Sequence, residues 1–394
     1  MQTIGMDDDV VVPFAQGTAR FLKLSDVRNL EAWQRAFQGK CKDRRYYELI
    51  EGTLANDFEY RYVALEDTAG TVRAIQPILF VRQNLVEGVR GAFRRIVDLI
   101  RKKFPRFLTM RVLMVGCAAG AGELDAINSE NEKWIAEALG ATLRDYARAN
   151  GASLVVFKDF LAGYRPTMAV LRRNGYTRVP SMPMTRLPVP FQNFDDYLQT
   201  LGYVSRKSLR RKFRKTERDA KISMEVVKDA STIVDQIYPL YLQVHERSPM
   251  KFEHLTKEFF LRIVQEMPER VCFFIWRIDQ KIVAFSLCLV SGDTLYDECL
   301  GLDYEVALDL HLYFYTMRDV IRWAIEQKLR YYVSGPLNYD PKLHLGHELA
   351  PLDLYVMHTR TWLNPIFSFA LKYLEPTRHD PVLKKFPNAA ELSA

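Results

Sequence analysis

One succession of elements occurs twice along this chain, and it restricts the fold more than any single motif does. In the first half, alternating runs at Tyr60–Leu65 and Val72–Val81 flank EDTAG, whose Asp and Gly suit a hairpin turn. A strand at Met110–Val115 follows, then a long helix started by Asn128 or Ser129 and running through Asn150. A strand at Ser153–Phe157 and a short helix, Met168–Arg173, stopped by Asn174-Gly175, complete it. In the second half, Val271–Ile278 and Ile282–Val290 turn at Asp279-Gln280; then come a strand at Thr294–Leu300, a helix over about Asp309–Lys328 and a strand at Arg330–Ser334. Each copy also has leading elements. The first has a strand at Ala19–Leu24 and a helix capped by Asp26 that carries Leu30, Trp33 and Phe37; the second has a strand at Ser223–Val227 and helices around Ile233–Val244 and Thr256–Met267. Strands and helices in this order predict an α/β (α+β) protein of two tandem domains, each a mixed sheet flanked by helices.

Charge divides the chain further. Its 55 Lys/Arg and 48 Asp/Glu leave a net +7, and the stretch Ser205–Lys221, SRKSLRRKFRKTERDAK, holds nine basic and two acidic residues. The whole excess therefore equals that of one short run. At helical spacing Leu209 and Phe213 form an i, i+4 pair able to dock, while Arg206, Arg210 and Arg214 follow an adjacent stripe. With Arg211, these arginines are expected to bind an anionic substrate, the alternative being a solvated connector. A second basic amphipathic segment spans Val89–Phe107. The expected division is an extended or disordered arm at 1–18, domains at 19–204 and 222–394, and the basic helix 205–221 between them.

Other classes are disfavoured. With 48% hydrophobic residues the chain has material for packed cores, while its start, MQTIGMDDDVVV, is acidic and no apolar run is long enough to span a bilayer. A soluble, cytoplasmic protein is expected. The five cysteines form no CxxC pair and the seven histidines no HxH or HExxH pattern, so no metal site is expected.

The element order, the central RKSLRRKFRK and the later SGPLNYDPKLHLG resemble the tandem acyltransferases of the GNAT superfamily, in their FemAB-like, peptidyltransferase-like branch. The resemblance is fairly specific at Gly301–Tyr315 and Ser334–Gly346 and otherwise rests on the order of elements. It implies two GNAT-like domains and transfer of an acyl or aminoacyl group to a small-molecule amine. The donor it implies is anionic: acyl-CoA, a carrier-bound acyl group or aminoacyl-tRNA. LDYEVALDLHL, where such folds hold pyrophosphate, lacks the glycine-rich Q/RxxGxG/A pattern, and the loop GCAAGAGE of the first half lacks the family spacing. Donor choice stays open. The rival from another class is a noncatalytic RNA-binding protein that uses the basic helix.

Transfer to an amine needs a proton acceptor, stabilisation of an oxyanion and a proton for the leaving group. Strand alternation places Tyr296 and Glu298 on one face and Asp297 and Cys299 on the other, making Glu298 a candidate base. His311, Tyr315, Arg318 and Arg322 share one polar helical stripe, with His311 placed to meet a phosphate or move a proton. In the loop Gly335–Gly346, Tyr339 is the candidate proton donor, Lys342 the anion anchor and His344 an orienting group. Arg247 and Lys251, in HERSPMKFEHL, are candidates for acceptor recognition. Near the end, Asn364-Pro365 starts a helix with Ile366, Phe367, Phe369, Ala370, Leu371 and Leu374, read as core packing or as a peripheral membrane contact.

Overall fold

The computed structural model describes residues 10–85 and 92–393. The chain forms two compact units. One comprises the described part of Met1–Met182 with Pro351–Asp380 and Ser393; the other comprises Pro183–Ala350 with Pro381–Leu392.

The first unit begins with β1 (Val10–Phe14) and β2 (Gly17–Leu22), then the short helices α1 (Leu24–Val27) and α2 (Glu31–Gln34) and the longer α3 (Arg44–Leu54). The hairpin β3 (Glu59–Asp67) and β4 (Val72–Asn84) leads to α4 (Ala92–Arg101), β5 (Thr109–Val115), α5 (Ser129–Ala149), β6 (Leu154–Leu161) and α6 (Arg165–Arg173). β7 (Thr177–Pro188) enters the second unit, followed by α7 (Phe194–Thr200), α8 (Tyr203–Asp219), β8 (Ile222–Val227), α9 (Val234–Arg247) and α10 (Lys257–Glu266). Next come the hairpin β9 (Val271–Ile278) and β10 (Lys281–Ser291), then β11 (Thr294–Leu302), α11 (Leu312–Glu326), β12 (Tyr331–Ser334) and α12 (Tyr339–His344). β13 (Glu348–His358) returns the chain to the first unit, where α13 (Asn364–Leu374) follows.

The sheet of the first unit runs β1-β2-β3-β4-β5-β6-β13, and that of the second β7-β12-β11-β10-β9-β8. Each has one parallel pair among antiparallel neighbours: Val112–Val115 beside Leu154–Phe157, and Thr294–Asp297 beside Tyr331–Ser334. In both, the parallel pair is bridged by a long helix, α5 or α11, packed in the core of its unit. These are the two mixed sheets flanked by helices that the repeated order implied.

Several local expectations change. Residues 1–9 lie outside the described residues, and Val10–Phe14 is a strand paired with β2. The helix expected after Asp26 is broken: Asp26 closes a one-turn helix by accepting from Lys23 N, and Phe37 takes φ 56°. α3 stands on an Asp43 cap that accepts from Arg45 N. The part of Val89–Phe107 within 92–107 is helical to Arg101, and 89–91 lie outside the described residues. β7 escaped the sequence reading because Pro180, Pro183 and Pro188 remove ladder donors.

Candidate functional site

The parallel pair of the second unit ends in a cluster of polar side chains. β11 carries a bulge: Asp297 pairs with Cys288, whereas Cys299 pairs with Leu287. Since Leu287 and Cys288 point to opposite faces of β10, Asp297 and Cys299 do too, and simple alternation fails here. Asp297 is thereby turned to the α11 side, where Cys288 joins the core built on that helix. Its carboxylate accepts from Ser286 Oγ and from Tyr332 Oη, each at 2.6 Å. Glu298, the expected base, is the extra residue of the bulge and is half-buried. The carboxylate held in the cluster is its neighbour.

The loop after β12 supplies a cation to the same place. Leu337 and Asn338 both take left-handed conformations, φ 71° and 51°, and then α12 begins, so the expected loop contains a short helix. Two such residues in succession are costly for side chains other than glycine, so the surroundings must hold them. Lys342 does part of this: 2% exposed, it donates from Nζ to Gly335 O and to Leu337 O at 3.0 Å. Its third N–H meets no acceptor among the described residues. Burial pulls its pKa down to about 8, against the upward pull of Asp297. His347 lies buried in the same group, with Nδ1 3.2 Å from Thr185 Oγ1, Nε2 unpartnered and its ring edge-on to Tyr332. Burial, then the Lys342 charge, lower its pKa to about 3, so the imidazole is neutral. Tyr313 of α11 joins through Asn338.

Tyr339 has a different place from the one expected. It is buried, and its hydroxyl donates to Pro183 O at 2.8 Å, tying α12 to β7. His344, at the exposed end of α12, meets Asp340 O at 2.8 Å through Nδ1.

The start of α11 is the second part of the site. His311 stands at the cap position with φ 49°, makes no side-chain cap bond, and no acid occupies the first turn. Helix α8 seats beside it. Leu209 and Phe213 are buried as the spacing required, each burial worth about 1.5–3 kcal/mol. Thr216 Oγ1 donates to Leu310 O at 2.6 Å and Lys215 Nζ to Asp309 O at 2.6 Å, while Lys212 Nζ lies over the Phe314 ring. Arg318, on the polar stripe of α11, is 4% exposed: it bonds Asp319 and reaches Glu217 of α8 at 2.7 Å. The charge concentration has an electrostatic signature, because burial followed by Lys212, Lys215 and Arg211 lowers the pKa of His311. Arg210, Arg211 and Arg214 are exposed. Arg206 is spent structurally, its NH1 donating to Gln199 O and Leu201 O at the end of α7.

Arg247 stacks over Tyr304, 4.0 Å from the ring, at the loop between β11 and α11; Lys251 is exposed. Gly301 lets α9 approach β11, since a Cβ there would sit 2.2 Å from the Phe285 ring and 2.8 Å from Tyr241 N. The structure thus groups Lys342 with Asp297, and His311 with Arg211, and places Glu298, Tyr339 and His344 in other settings. Asp297, Ser286, Tyr313, Tyr332 and His347 were missed. Only Asp297, adjoining Glu298 in a strand, left a readable trace. No group of three His, Cys, Asp or Glu among the described residues could hold a metal ion.

With the sheet, its bridging helix and the polar strand ends described, the chain can be compared with known proteins. Residues 119–373, more than half of the chain, match the FemAB-like family, described as peptidoglycan biosynthesis/recognition; the chain belongs to that family. Membership supports an acyl or aminoacyl transferase in general. No curated protein matches the chain. Among solved structures, FemX is similar with a TM-score of 0.50 at 12% identity, over 84% of this chain and 96% of that one. L-PGS from Bacillus licheniformis gives 0.48 at 12% identity over 85% and 97%, and a tandem GNAT protein from the clavulanic acid biosynthesis pathway 0.42 at 10% over 87% and 99%. The likeness to FemX is one of fold.

Proposed function

We propose that this protein is an N-aminoacyl transferase that takes its donor from charged tRNA and passes the aminoacyl group to a small-molecule amine, with the chemistry in the second unit. One observation carries the choice of donor: α8 turns Lys212 and Lys215 inward to the start of α11 while Arg210, Arg211 and Arg214 stay exposed beside them. A helix N-terminus with basic side chains suits one phosphate. An outward row of arginines extends that field beyond a single pyrophosphate, as a polynucleotide backbone requires.

In the reaction the amine nitrogen attacks the ester carbonyl carbon, a C–N bond forms, and the bond from that carbon to the ribose oxygen breaks. The proton lost by the amine ends on the ribose oxygen. Lys342, with one N–H unused by protein acceptors, stabilises the developing oxyanion, and Asp297 keeps that ammonium charged and in place. Arg247 and Lys251 remain proposed acceptor contacts, and Glu298, His311 and His344 proposed aids to proton transfer; Tyr339 serves as a tether.

The test is to incubate the protein with tRNA charged with a labelled amino acid, or with labelled acyl-CoA, and a set of amines. The expected result is label moving from tRNA to an amine. Transfer from acyl-CoA alone would contradict the donor, and RNA binding indifferent to aminoacylation, without transfer, would favour the RNA-binding reading.

A further inference from the structure

The first unit carries an apolar surface that the transfer reaction does not use. Trp362, Ile366, Phe369 and Tyr373 fall at i, i+4, i+7 and i+11 along α13 and the turn before it, and each is between 60% and 68% exposed. The opposite face holds the helix down: Phe367 packs edge-on against His358, Ser368 Oγ receives a bond from Thr177 Oγ1, and Leu371 is buried. The exposed stripe is therefore no by-product of a loosely held helix. It runs about 16 Å at the helical rise. The contiguous stripe exceeds the scattered single apolar residues that ordinary surfaces show.

A neighbouring helix adds further exposed apolar residues. Val97 of α4 is buried against Leu108 and against Leu374 of α13, so the two helices are neighbours. Ile96, Leu99 and Phe104 are each more than half exposed. Around them stand Arg95, Lys102, Lys103 and Arg106, all exposed, against one acid, Asp98. Lys372, on α13, lies 5.7 Å from the Phe369 ring centroid.

We propose that this face docks on an anionic phospholipid surface, with α13 and α4 lying in the interface. Charge selects the occupant. A basic rim around an apolar stripe matches anionic headgroups over acyl chains. A second copy of the chain, meeting the same face by two-fold symmetry, would set the basic rim against itself. Trp362 and Tyr373 mark the two ends of the stripe, and neither indole N–H nor phenol hydroxyl bonds another described residue; amphipathic rings of this kind settle at headgroup level. No helix among the described residues is long and apolar enough to cross a membrane, so the contact is peripheral.

The test uses the full chain with sedimented vesicles of phosphatidylcholine, with and without phosphatidylglycerol. Wild type is expected to bind the anionic vesicles at least tenfold more tightly than the neutral ones. Two variants confined to exposed residues should each lose at least tenfold: Trp362→Ser with Ile366→Ser, Phe369→Ser and Tyr373→Ser, and Lys102→Glu with Lys103→Glu and Arg106→Glu. Unchanged melting temperatures would show that both are folded. Quenching by brominated lipid should reach Trp362 in wild type and fall in Trp362→Phe. No vesicle binding would overturn the proposal, as would equal binding to neutral vesicles. A wild-type dimer in light scattering that the stripe variant dissolves would overturn it in favour of a second copy.

Discussion

Helices α5 and α11 bridge the parallel strands of their respective units, yet their first turns differ. At α5, Asn128 caps Asn131 N at 2.9 Å, and Glu130 and Glu132 occupy the first turn, so the helix's own carboxylates answer its positive end. The loop before it is closed in the same manner: Ala119 O accepts from Lys42 Nζ and Tyr46 Oη, Gly120 O from Lys158 Nζ, and Asp125 from Phe37 N and Ile75 N. At α11 there is no acid in the first turn and no side-chain cap bond, and Arg211, Lys212 and Lys215 crowd His311. One topological position is self-satisfied in the first unit and left positive in the second. A fold with two equivalent helix starts thus has one suited to receive an anion.

The largest test of this asymmetry lies at Lys342. Lys342→Met should lower the transfer rate by about 10²- to 10³-fold, the usual cost of one lost oxyanion donor. Its stability should also change its pH dependence. Burial lowers the folded-state pKa from 10.5 to about 8, so between those values the unfolded chain holds a proton that the folded chain does not. Wild-type stability therefore rises with pH across that window, by up to about 3 kcal/mol, and the variant should lack the rise in pH-dependent urea unfolding. Asp297→Asn should depress turnover next most, and should shift the alkaline limb of the rate profile to lower pH as the ammonium loses its partner.

Smaller effects separate the two helix starts. Arg210→Glu with Arg211→Glu and Arg214→Glu should weaken tRNA binding and make the log–log salt slope shallower by about 2, measured by filter binding, without changing the melting temperature. In the first unit, Lys42→Ala and Lys158→Ala should leave tRNA binding as it was and cost about 1–3 kcal/mol each in unfolding, the worth of a hydrogen bond from a charged group. The smallest effect is a titration shift. Arg211→Gln with Lys212→Gln should raise the pKa of His311 by NMR, because their charges now hold it down.

Most of the frame was legible because it depends on local chemistry. Asn128 and Thr256 cap the helices they were expected to start, and the hairpin turns at Asp279, φ 53°. What was not legible depends on partners far along the chain. That β13 pairs with β6, so that Leu352 meets Leu161, is written in neither strand alone. The bulge at Leu287/Cys288 turned Asp297 into the polar cluster with Ser286 and Tyr332, and nothing in YDECL announces a register shift. The setting of Tyr339 was hidden for a related reason: a tyrosine in a polar loop looks exposed until the carbonyl that receives its hydroxyl, Pro183 O, is known. The basic run was visible as charge, but its inward and outward sides were set by Leu209, Phe213 and Thr216 docking on α11.

The central claim is that the start of α11, and not that of α5, receives the anion. Backbone amide shifts of the isotope-labelled protein, followed while pyrophosphate is added, test it directly. The account predicts saturable shifts at Tyr313–Tyr315 that vanish in Arg211→Gln with Lys212→Gln, with Glu130–Glu132 undisturbed. Shifts centred on Glu130–Glu132, or shifts at α11 that survive loss of the two charges, would contradict it.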